Sequence, residues 1–137
     1  MSLRDDLIRG IDMYNAVEEK SFAFAVRIVK LCKYLQSTQN EFVLTKQLLR
    51  AGTSIGANVA EAQQAQSRAD FVSKLNIALK ECVETEYWLR LLLATELLEE
   101  VQFHSLHSQC LEIKKLLVSI IKSSKLSEYS NRREATP

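Results

Sequence analysis

The stretch Gln47-Leu48-Leu49-Arg50-Ala51-Gly52-Thr53-Ser54-Ile55-Gly56-Ala57-Asn58-Val59-Ala60-Glu61-Ala62 decides the fold. Wound as an α-helix, each residue advances about 100° around the axis. With Arg50 at zero, Glu61 falls near ~20°, Ser54 near ~40°, Gln47 near ~60° and Asn58 near ~80°. Leu44, Leu48, Ile55, Val59 and Ala62 gather at about 120–180°. A hydrogen-bonding stripe therefore runs beside an apolar one, with Ala51, Gly52 and Ala62 keeping the backbone thin. Such a helix is built for close packing, with polar groups drawn into the interface.

Gly52 and Gly56 each cost about 1 kcal/mol against Ala inside a helix, and close helix approach is their return. A phosphate loop does not fit, because no strand precedes them and the spacing matches neither the Walker nor the dinucleotide pattern. The rest of the 137 residues agrees with this helix: 47% are hydrophobic, 26% are charged, and there are 3 Gly and 1 Pro, the last residue. Without an Asn-Gly or Asp-Gly hairpin signal, the class is all-α.

Working outward, the expected elements are helices over 16–36, 41–66, 68–95 and 100–123, joined by short polar turns into an antiparallel up-down-up-down four-helix bundle. Residues 1–15 read as a lead-in broken at Gly10, and Asn15 with Glu18 forms a capping box for the first helix. Residues 124–137 read as a polar, disordered tail. In the first helix Phe24, Ile28, Leu31 and Leu35 share a core face, while Phe22, Val26 and Val29 form a second apolar row. That row fits either a wide core stripe or a subunit interface. Ser67 and Asp70 cap the third helix. Its Tyr87, Trp88 and Leu91 read as core edge or subunit contact, with the second row of the first helix as natural partner. Tyr87 and Trp88 beside Arg90 also permit base stacking.

Charge is balanced at +1 and mixed along the chain, which counts against binding nucleic acid mainly through phosphates. The positive end of the fourth helix and the tail (Lys114, Lys115, Lys122, Lys125, Arg132, Arg133) is the candidate nucleic-acid surface. The odd cysteine count (Cys32, Cys82, Cys110) and the lack of a secretory leader imply reduced thiols in a cytoplasmic protein. No apolar run approaches the ~20 residues needed to span a bilayer.

The string from Lys46 to Ala62, with Arg50, Ser54-Ile55, Asn58 and Glu61 in register, resembles the signature of a bacterial four-helix-bundle family that includes proteins encoded within intervening sequences of 23S ribosomal RNA genes. Lys20 to Ala25, Ser67 to Phe71, Ile77 to Glu81 and Glu84 to Leu89 are similar to further stretches of that family. The resemblance implies an antiparallel bundle that assembles into a homo-oligomeric ring, most often a pentamer. It implies no established enzymatic activity. A similar bundle serves as the basic, nucleic-acid-contacting accessory protein of retroelements, so ribosomal RNA or another nucleic acid is the alternative partner. Many relatives place Gly where Ala62 stands, which implies that the second helix here runs on unbroken.

Gln47, Arg50, Ser54, Asn58 and Glu61 form a candidate polar seam, with Glu84 as the opposite charge for Arg50. A structural seam fixes register; a functional one contacts a ligand or RNA. His104, His107 and Cys110 step by three, which spreads them over about 120° and leaves no fourth metal ligand in view. No metal or other cofactor is expected. Glu81, Glu84 and Glu86 read as a solvated edge with one inward member, the cysteines lack a placed His, and the serines lack an elbow motif. The expectation is a non-catalytic interaction or scaffold protein without a small-molecule substrate.

Overall fold

The computed structural model describes the backbone of residues 2–135 and the side chains of residues 2–125. Four helices follow in order: α1 (Leu3–Gln39), α2 (Val43–Ala62), α3 (Arg68–Ala94) and α4 (Glu100–Ala135). No strand occurs among the described residues. Each helix packs on its two neighbours in the cycle α1, α2, α3, α4, and the short joints make neighbours antiparallel.

Local chemistry sets the boundaries. α1 starts at Leu3, not after Asn15, because a different capping box acts there. The Ser2 hydroxyl accepts from the Asp5 amide at 3.1 Å, and the Asp5 carboxylate accepts from the Ser2 amide at 3.4 Å. Asn15 and Glu18 lie inside the helix. Gly10 does not break it, since a penalty of about 1 kcal/mol is too small to stop a capped helix. α1 ends at Asn40, which takes the left-handed conformation at φ 53° and donates its amide to the Leu35 carbonyl.

α2 begins at Val43 because the Glu41 carboxylate accepts from the amides of Val43, Leu44 and Thr45 at 3.2, 2.8 and 2.9 Å. It stops at Ala62 rather than running to Gln66. Gln63, Gln64 and Ala65 instead donate to carbonyls three residues back, which tightens the chain out of α geometry. Gln63 to Gln66 offer almost nothing apolar to hold another turn against the core. Ser67 then caps α3, accepting from the Asp70 amide at 3.0 Å. α4 continues to Ala135, past the boundary expected at Ser123.

The core runs the length of the bundle, with Phe24, Ile28 and Leu35 from α1, Leu48, Ile55 and Val59 from α2, Leu75, Leu89 and Leu92 from α3, and Ile113 and Leu117 from α4 all fully buried. The buried threonine hydroxyls are satisfied locally: Thr85 donates to the Glu81 carbonyl at 2.7 Å, and Thr45 to the carbonyl of Glu41, just before α2, at 2.9 Å. α1 and α2 approach closely at the two α2 glycines. A Cβ at position 56 would sit 3.3 Å from the Ser21 carbonyl oxygen. The second apolar row of α1 is not part of this core: Phe22 is 71% exposed and Val26 38% exposed.

Candidate functional site: a polar seam and an apolar groove

The polar stripe of α2 faces α3. Arg50 pairs with Glu84 and, at 3.4 Å, with Glu81. Its guanidinium, by hydrogen bonding, holds the Glu84 carboxyl below the usual carboxylate range against an opposing push from burial. The Trp88 indole N–H donates to the same carboxylate at 3.2 Å, so Arg50, Glu84 and Trp88 form one chain of contacts. Ser54 and Asn58 turn back onto α2 instead. The Ser54 hydroxyl donates to the Arg50 carbonyl at 2.6 Å and the Asn58 amide to the Ser54 carbonyl at 2.8 Å. Glu61 reaches Lys74 of α3 at 3.1 Å, and Gln47 is exposed. The seam thus crosses between helices at three ion pairs, two made by Arg50 and one by Glu61. Sequence reasoning missed Glu81 and Lys74 as members. Glu81 lies three residues before Glu84 and Lys74 ten before it, so helical spacing places both on the same flank of α3.

On the other flank of α2, an apolar groove of about 620 Å³ opens between α1 and α2. Thr53, Gly56, Ala57 and Ala60 form its α2 side, Phe22 and Ala25 its α1 side, and Glu18, Glu19 and Asn15 its end. Small residues three to four apart at 53, 56, 57 and 60 were the sequence signal for it. Tyr14 closes the same end of the bundle: its hydroxyl donates to the Val59 carbonyl at 2.5 Å and its ring lies 5.9 Å from that of Phe71. Beyond Tyr14, Leu3, Leu7, Ile8 and Ile11 are exposed on the first turns of α1.

The other interface candidates divide. Tyr87 is 54% exposed and meets Trp88 edge-on at 5.0 Å, whereas Trp88, Leu91 and Val29 are half-buried. Among the basic candidates, Lys114 pairs with Glu86 at 3.4 Å, while Lys115, Lys122 and Lys125 are exposed. Arg132 and Arg133 lie outside the residues whose side chains are described. His107 stacks on Phe103 at 5.1 Å, His104 meets the same ring edge-on, and Cys110 turns into the core, where its thiol donates to the Cys82 carbonyl. The structure does not bring that trio together, and among the described residues no three metal-binding side chains converge. No helix among the described residues is long and apolar enough to cross a membrane.

A comparison with curated proteins finds no match. Among solved structures, the chain is similar to a protein of unknown function from the S23 ribosomal protein family of Bacteroides thetaiotaomicron. The two are 61% identical and superpose with a TM-score of 0.80, over 80% of this chain and 98% of that one. The model of the 23S rRNA-intervening sequence protein family matches residues 14–119, from the Tyr14 closure to the last turns of the buried α4 face. Neither description names a reaction. With the signature of α2, the four-helix bundle and most of the chain in agreement, the protein belongs to the family of 23S rRNA-intervening sequence proteins.

Proposed function

We propose that this protein works by association: it is a non-catalytic, cytoplasmic, homo-oligomeric interaction or scaffold protein. The observation that carries the reading is the apolar α1/α2 face, where Phe22 stands 71% exposed beside a groove of small residues. A contiguous apolar surface of this kind marks a contact. The polar seam supports the same reading from inside the subunit, since its ion pairs fix how α2 and α3 meet. Five copies is the stoichiometry that the family resemblance favours. Size-exclusion chromatography with light scattering tests it: a discrete multimer is expected at micromolar concentration, and a single chain of 15.6 kDa overturns it.

A second reading is RNA contact along α4, favoured by the exposed row Lys115, Lys122 and Lys125, none of which forms an ion pair among the described residues. Binding of a ribosomal RNA fragment that weakens steeply with salt supports it; no shift at low salt rejects it.

A further inference from the structure

We infer that the α1/α2 groove of one copy receives the outer ridge of α3 from a second copy, so that the subunits join head to tail. This deepens the homo-oligomer reading and rests on it.

The ridge is fixed by helix geometry. Lys80, Tyr87 and Leu91 fall within about 40° of one another on α3, and Val83 and Arg90 flank them. Tyr87 and Val83 are 54% and 51% exposed, and the Tyr87 ring meets Trp88 edge-on. A convex aromatic ridge therefore faces a concave groove whose floor is Gly56, Ala57 and Ala60.

Charge selects this occupant over others. The groove's end carries Glu18 and Glu19, and the ridge carries Lys80 and Arg90; none of the four makes an ion pair among the described residues. Opposite charges thus wait unpaired on the two surfaces. The first turns of α1, also apolar and exposed, carry Asp5, Asp6 and Asp12 against Arg4 and Arg9 and so offer Glu18 and Glu19 no net positive charge.

The placement of the two surfaces decides the assembly. In the four-cornered bundle the groove lies on the α1/α2 side and the ridge points out from the α3 corner, about 135° away in an idealised square section. Surfaces that are different and not directly opposed make a heterologous contact that turns at each step, giving a ring where the rotation closes and a helical filament where it does not.

The test uses two exposed positions that leave the core intact. Ala57→Glu blocks the groove and Tyr87→Glu blocks the ridge. Each variant alone is expected at 15.6 kDa by light scattering, with unchanged helical circular dichroism. Mixed in equal amounts they are expected to form a heterodimer of about twice that mass, because one intact groove and one intact ridge remain. Lys80→Glu with Arg90→Glu is expected to dissociate the multimer, and adding Glu18→Lys with Glu19→Lys in the same chain to restore it. If the wild type is itself a single chain, the homo-oligomer reading falls. If the wild type is multimeric and either blocked variant stays multimeric, or the mixture yields no heterodimer, only the groove-to-ridge contact falls.

Discussion

Gly52 of α2 lies so close to Ile28 of α1 that a Cβ at position 52 would stand 2.9 Å from the Ile28 Cγ2. Ile28 is fully buried and β-branched, so its side chain has little freedom to move aside. Gly52→Ala sets two effects against each other. Helix propensity favours Ala by about 1 kcal/mol, while forcing a methyl into a filled core costs about 1–3 kcal/mol. The clash wins: the variant is expected to be less stable by about 1 kcal/mol, read as a lower urea midpoint.

Gly10 supplies the contrast. A Cβ there would meet nothing within 4 Å, and the residue lies inside α1. Gly10→Ala is expected to strengthen the first turns by up to about 1 kcal/mol. Because these turns extend beyond the Tyr14 contact, the gain belongs to local opening rather than global unfolding. Slower amide exchange over residues 3–13, with little change in melting temperature, is the expected result.

The core was legible in the sequence because 3.6-residue periodicity is strong wherever a helix buries one face. Phe24, Ile28, Ile55, Val59, Leu75 and Leu117 all sit where that spacing puts them. Helix ends were less legible, because a cap is a contest between candidates. Ser2 with Asp5 and Asn15 with Glu18 read alike in sequence, and it is the earlier pair that acts. Of the seam, the Arg50–Glu84 pairing follows from helical arithmetic. The inward turn of Ser54 and Asn58 does not, since these short side chains bond as readily to their own backbone as across a gap. The groove was hidden for another reason: small residues signal close packing, and whether a neighbour or solvent lies over them depends on the tilt of α1.

The seam gives a pH dependence of stability. The hydrogen bond from Arg50 holds Glu84 below its ordinary value. Burial pushes Glu41 up, but the Leu44, Thr45 and Val43 amides pull it down further, so it too is depressed. A carboxylate depressed in the folded state favours folding above its unfolded pKa, near ~4.3, and loses that contribution as pH falls through the folded value. Arg50 is about half exposed, so its pair contributes under ~1 kcal/mol. Arg50→Met is therefore expected to lower the urea midpoint slightly at pH 7 and to match the wild type near pH ~3. Glu41→Gln is expected to converge with the wild type over the same acid range, from a larger gap at neutral pH. A gap that stays constant from pH 7 to pH 3 would remove the electrostatic account of both residues.

Cys32, Cys82 and Cys110 are buried free thiols. Burial, with the Glu41 carboxylate nearby, pushes Cys32 up to about 11. The Cys110 hydrogen bond, followed by burial, raises Cys82 as well. Because the thiolate is the reactive species, two barriers then act in series: the helices must separate, and the proton must leave. At pH 8 the folded protein is expected to show no fast-reacting thiol toward a disulfide reagent such as dithiobis-nitrobenzoate, and denaturant is expected to release all three. Slow labelling of the native protein reports the opening of individual helix pairs. Cys32 lies on the α1/α2 side, with its thiol donating to the Thr45 carbonyl at 3.4 Å, whereas Cys82 and Cys110 join α3 to α4. If α1 and α2 are also clamped by a second copy over their groove, the Ala57→Glu variant is expected to label Cys32 faster while Cys82 and Cys110 keep their wild-type rates. Equal acceleration at all three would mean that the substitution loosened the whole bundle.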